Sequence, residues 1–126
     1  MERKNIWLIL GAIGAALGVI AGASGAHIIE PMVTPETYVT YYKGVRYQMY
    51  HSIALIFVSL LSSQNPRKII NTAGWLFLSG ILCFSGSLYL IVLTGSKFIL
   101  EYVTMVGGFL FTFGWISLAI SGFAKK

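Results

Sequence analysis

Two histidines, His27 and His51, are the residues of this 126-residue chain best suited to chemistry. Neutral imidazole binds haem iron, copper or zinc, and histidines on facing helices hold haem inside many bundles. A haem or transition-metal site on this pair, or a site for another polar ligand, would be lined by His27, Glu30, Tyr47, His51, Ser85 and Tyr89. Zinc or copper needs more than two ligands. Neither cysteine nor aspartate lies near the pair, so only Glu30 or a tyrosine could add one. The competing reading is structural, with His51 bonded to Tyr47 one turn earlier or to a serine across the bundle, and His27 to Glu30 or a loop carbonyl.

Other chemistries find less support. The chain has no Gly-x-Ser-x-Gly elbow, no phosphate-cradling glycine loop and no paired carboxylates. Ser24, Ser85 and Ser87 adjoin glycines, but helical serines in membranes usually bond to backbone or to a neighbouring helix. The expectation is therefore no enzyme. Proton-coupled export needs an ionisable carboxylate at membrane depth. Glu30 and Glu101 sit at helix ends, which argues against a small oligomeric transporter. The single cysteine, Cys83, excludes a disulfide framework and reads as a small packing residue.

The elements that must position these residues follow from composition. Hydrophobic residues make up 56% and charged residues 10%, far fewer charges than a water-soluble domain carries. A spanning helix needs about 20 mostly apolar residues. Stretches 6–28, 47–62, 70–94 and 102–123 meet or approach that length, which predicts an all-α, integral membrane four-helix bundle forming one domain. Backbone pairing inside each helix is obligatory in lipid, so strands are excluded. Arg3, Lys4, Arg67, Lys68, Lys125 and Lys126 fall on one side, and Lys43, Arg46 and Lys97 on the other. The positive-inside rule then places both termini in the cytoplasm, in a cytoplasmic (inner) membrane. The net charge of +5 is read as topology and lipid contact, with no nucleic-acid role. A cleaved signal peptide at the N-terminus is the competing assignment, but the apolar run is long and rich in glycine.

Trp7, Trp75 and Trp115 fall near the expected inner ends and the seven tyrosines toward the outer side, as interfacial belts would. Thr34, Pro35 and Glu36 form a helix start, opening a short interfacial segment over 34–46 that bends near Gly44 and feeds helix two. Gly14, Gly18, Gly22 and Gly25 in helix one, with Gly107, Gly108 and Gly114 in helix four, are candidate packing positions, within the bundle or in a homo-oligomer.

Four motifs then carry a resemblance. They are Gly22-Ala23-Ser24-Gly25-Ala26-His27, Gly44-Val45-Arg46-Tyr47-Gln48-Met49-Tyr50-His51, the run from Gly80 to Leu90, and Gly107-Gly108 with Gly114-Trp115. In this order the chain resembles the YgdD/YwdK-type family of small four-helix membrane proteins, a domain of unknown function. It departs at Met105, where that family usually shows proline. The resemblance implies an inner-membrane four-helix protein and carries no activity. The leading expectation is a non-catalytic membrane protein with a structural or accessory role, in membrane integrity or as a subunit of a larger complex; a ligand-, haem- or metal-binding histidine bundle and a small oligomeric transporter are the alternatives.

Overall fold

The computed structural model describes residues 5–123, all of whose regular structure is helical. Glu2, Arg3, Lys4, Lys125 and Lys126, which carry much of the charge asymmetry, lie outside the described residues. Four helices follow one another: α1 (Ile6–Met32), α2 (Pro35–Gln64), α3 (Lys68–Thr94) and α4 (Phe98–Phe123). By length and composition α1, α3 and α4 can each cross a membrane. α1 ends in a π turn, Gly25–Ile29, and a 3-10 turn, Glu30–Met32; α3 contains a π turn at Ile81–Ser85.

Local chemistry sets the helix limits. The Asn5 side chain accepts the Leu8 N–H at 3.3 Å and starts α1. Thr34 accepts from the Thr37 N–H, Pro35 fills the first helical position, and Glu36 lies in the positive first turn of α2. Gly95, at φ 72°, ends α3 in the left-handed conformation that glycine adopts without penalty.

The main departure from the sequence reading is α2. Segments 34–46 and 47–62 are not an interfacial helix followed by a second one; they form a single 30-residue helix. Gly44 does not break it. Gly44 lies under α3 instead, where its carbonyl accepts the Ser85 hydroxyl at 2.7 Å and an added Cβ would stand 3.0 Å from the Tyr89 ring. That contact offsets the roughly 1 kcal/mol by which glycine weakens a helix interior.

α2 packs along α1 on one face and against α3 on another, and α4 packs on α3. The α1–α2 register reads off the glycines. Gly14 faces Ser52, Gly18 faces Met49, Gly22 faces Val45 and Gly25 faces Tyr41, so the helices run antiparallel. At Gly18 and Gly25 a Cβ would come within 2.5 Å of those side chains, and at Gly22 it would make ordinary contact at 3.6 Å. In α4, a Cβ on Gly107 would reach 2.5 Å from the Phe84 backbone nitrogen and one on Gly114 2.6 Å from the Phe77 ring. Gly108, grouped with the packing glycines in the sequence, has nothing within 4 Å and faces outward.

The core comprises Trp7, Ala54, Leu55, Val58, Ile70, Ala73, Phe77 and Phe111. The aromatic belts are therefore only partly belts. Trp7 is buried, donates to the Asn71 side chain at 2.9 Å and covers Gly74, so it holds the start of α1 on α3. Tyr41 is buried too and donates to the Ala21 carbonyl at 2.6 Å. Outward faces are apolar instead, with Ile13, Val19, Ile20, Leu82, Leu93, Phe109 and Ile120 all exposed, as a lipid-facing surface requires. Arg67 donates to the Ser121 carbonyl at 2.8 Å, tying the start of α3 to the negative end of α4. This end of the bundle is called the terminal end below; the α1–α2 and α3–α4 turns make the loop end.

Candidate functional site

His51 sits half-way along the bundle, against Phe111 at the middle of α4 and Phe77 of α3. It is 4% exposed, its ring stacked on Phe111 with centroids 3.5 Å apart. Tyr47 lies beside both rings, 6.0 Å from His51 and 6.2 Å from Phe111, and reaches Phe84 at 4.6 Å. Trp115 approaches within 3.1 Å, its indole nitrogen on Nε2 of His51, while Nδ1 lies 2.7 Å from the Tyr47 carbonyl.

These partners assign the tautomer. An indole N–H only donates, so Nε2 must accept. A carbonyl only accepts, so Nδ1 carries the proton. The imidazole is neutral and both nitrogens are taken, which is how a polar ring is tolerated at membrane depth. No lone pair is left for a metal.

His27 is elsewhere. It is exposed in the π turn near the loop end of α1, followed by exposed Glu30. The α1–α2 register puts His51 beside residue 15 of α1, so twelve helical steps, about 18 Å, separate the two histidines along the axis. The expected haem or metal pair is not assembled. Its premise was that helix two begins at residue 47 and holds His51 one turn inside; α2 begins at Pro35, which places His51 more than four turns in. Among the described residues, no three His, Cys, Asp or Glu side chains gather as metal ligands.

The six residues proposed from sequence thus divide three ways. His27 and Glu30 are at the loop end, and Tyr47 and His51 join the aromatic cluster. Ser85 and Tyr89 line a cleft of about 320 Å³ between α1 and α3, with Gln48 of α2 at its floor. Tyr89 donates to the Gln48 side-chain oxygen at 2.6 Å, and the Gln48 amide donates to the Gly14 carbonyl at 2.8 Å. One glutamine therefore joins three helices. Beneath Gly14, the Ser52 hydroxyl is buried without a hydrogen-bond partner.

Gln48 and Trp115 are the site residues that the sequence reading passed over. The available signal for Gln48 was an amide three residues before His51, at the start of a stretch that turns apolar from Ile53. Trp115 gave none, because an indole near a helix end reads equally well as an interfacial anchor.

Comparison with known proteins agrees with this architecture. A family model described as "Protein of unknown function (DUF423)" matches residues 21–108. A UPF0382 membrane protein of Staphylococcus aureus (strain bovine RF122 / ET3-1) is 42% identical over 119 residues, covering 94% of this chain and 96% of its own. One from Staphylococcus haemolyticus is 41% identical with the same coverage. The UPF0382 membrane protein YwdK of Bacillus subtilis (strain 168) is 38% identical, covering 93% and 95%. No solved structure matches. With its family model spanning most of the chain and full-length relatives that are membrane proteins, the chain belongs to the DUF423 (UPF0382) family.

Proposed function

We propose that this protein is a non-catalytic component of the cytoplasmic membrane, both termini inside, that acts as an accessory or structural subunit of a larger assembly. The observation that carries the reading is the destination of its polar side chains. Tyr41, Gln48, Ser85, Tyr89 and Trp115 each bond to a different helix, and His51 accepts one of those bonds. Groups committed to joining helices are not free to act as bases or nucleophiles, which need an unencumbered atom facing substrate. The excess of lysine and arginine on the terminal side supports the orientation.

Gentle extraction in mild detergent, followed by size analysis and mass spectrometry of what comes with the tagged chain, tests the role. The expected result is stoichiometric recovery with other membrane proteins. Recovery only as a free 13.8 kDa chain from the membrane in which it normally resides overturns it.

A further inference from the structure

We infer that the cleft between α1 and α3 is a binding site for one acyl chain of a glycerophospholipid, drawn from the leaflet on the loop side. The inference is independent of any protein partner.

Shape selects the occupant. At the terminal end Trp7 clamps α1 to α3, and beyond it the two helices enclose a narrow cleft. The lining runs from Leu78 to Tyr89 on α3, eleven helical steps or about 16 Å. At about 320 Å³ over that length, the cleft is too small for a helix ~10 Å across. A helix from another protein cannot enter, whereas a single methylene chain can.

Position and polarity give direction. Ile13 and Leu17 on one wall and Leu82 on the other are more than half exposed, so the cleft opens sideways to the bilayer. Its terminal end is apolar, at Leu10, Leu55 and Leu78, and Gln48, Ser85 and Tyr89 lie toward the loop end. An acyl chain lies with its methyl end inward and its ester end toward Tyr89. Two residues further along α3, a second groove of about 580 Å³ begins at Ile91 and contains Thr37, Thr40, Glu36 and Lys97. It presents both signs of charge to a zwitterionic headgroup. The π turn Ile81–Ser85 supplies three lining residues, and π turns within α-helices recur at functional sites. In lipid there is no hydrophobic drive into the cleft; the gain is dispersion contact on several sides of the chain in place of a void.

Gly86 provides the test, because an added Cβ there meets nothing within 4 Å and a larger side chain fills the cleft without displacing a neighbour. The full chain is reconstituted in phosphatidylethanolamine vesicles doped with the same lipid carrying a diazirine on one acyl chain, irradiated, and mapped by mass spectrometry. Labelling of Leu10, Leu17, Leu78 and Leu82 is expected to exceed that of the outward Val19, Ile20 and Leu93 severalfold. Gly86→Leu should abolish the excess; Gly122→Leu, equally uncrowded but far from the cleft, should not. Leu17→Trp fills the cleft from the other wall, should Gly86→Leu lose its helical circular dichroism. Uniform labelling, or an excess that survives both filling variants, overturns the inference. Loss of the excess when an isoprenoid quinone replaces a minor fraction of the vesicle lipid assigns the cleft to another ligand and overturns it as well.

Discussion

Replacing Trp115 by Phe removes the hydrogen-bond donor that a half-exposed indole supplies to buried His51 and leaves most of an aromatic ring in place. The donor serves Nε2 of His51, which is 4% exposed and has no route to water. A buried acceptor left unpaired costs about 1–3 kcal/mol. The smaller ring also loses contact with Phe77, whose centroid is 4.8 Å from that of Trp115, so the single-variant value mixes two effects. His51→Phe separates them. It keeps a flat ring against Phe111 and removes the acceptor, so Trp115→Phe in that background reports lost packing together with release of the unpaired indole N–H. The coupling from the double-mutant cycle is the hydrogen bond itself. Such couplings between membrane helices average about 0.6 kcal/mol and reach about 1.7, and a neutral bond at 3.1 Å on a fully buried ring should fall in the upper half of that range. Reversible unfolding in mixed micelles, followed by far-ultraviolet circular dichroism, measures all four proteins without relying on Trp115 fluorescence. Additivity within about 0.3 kcal/mol would refute the assignment of a Trp115-to-His51 bond and of the Nδ1–H tautomer.

Three further outcomes follow from the same geometry. Gly107→Ala should destabilise by about 1–3 kcal/mol, because its Cβ meets the Phe84 backbone, while Gly108→Ala should be neutral or stabilising by up to about 1 kcal/mol; the same unfolding assay decides, and equal effects would contradict the α3–α4 packing. Gln48→Leu removes two interhelical bonds and orphans the Tyr89 hydroxyl, costing about 1–3 kcal/mol, and the double variant with Tyr89→Phe should recover part of that loss. His27→Ala and His51→Ala should not act together on any bound metal or haem; an absorption band or metal content lost in both single variants would show that the histidines meet, against the register of α1 and α2.

How much of the site was legible depends on the distance over which each residue is decided. Ser85 and Tyr89 were named from sequence beside the two histidines, and they line a different cleft that contains neither histidine. Their partner Gln48 could not be placed, because its two bonds reach residues 34 and 41 positions away. His51 had one partner one turn away, the Tyr47 carbonyl, which local helix geometry suggests, and another 64 positions away, which it does not.

The sequence by itself determined that this chain is an all-helical membrane protein, because hydropathy and backbone hydrogen bonding act within a helix and need no neighbour. It determined the start of α2 as well, through Thr34, Pro35 and Glu36, whose capping contacts span three residues. Only the tertiary structure decided that this helix continues through Gly44, that Trp7 and Tyr41 are buried, and that His27 and His51 lie apart. Each of these depends on register, the sliding of one helix past another. Register is fixed by contacts such as Gly18 on Met49 and Gly25 on Tyr41, summed along two whole helices, and no local stretch contains that sum.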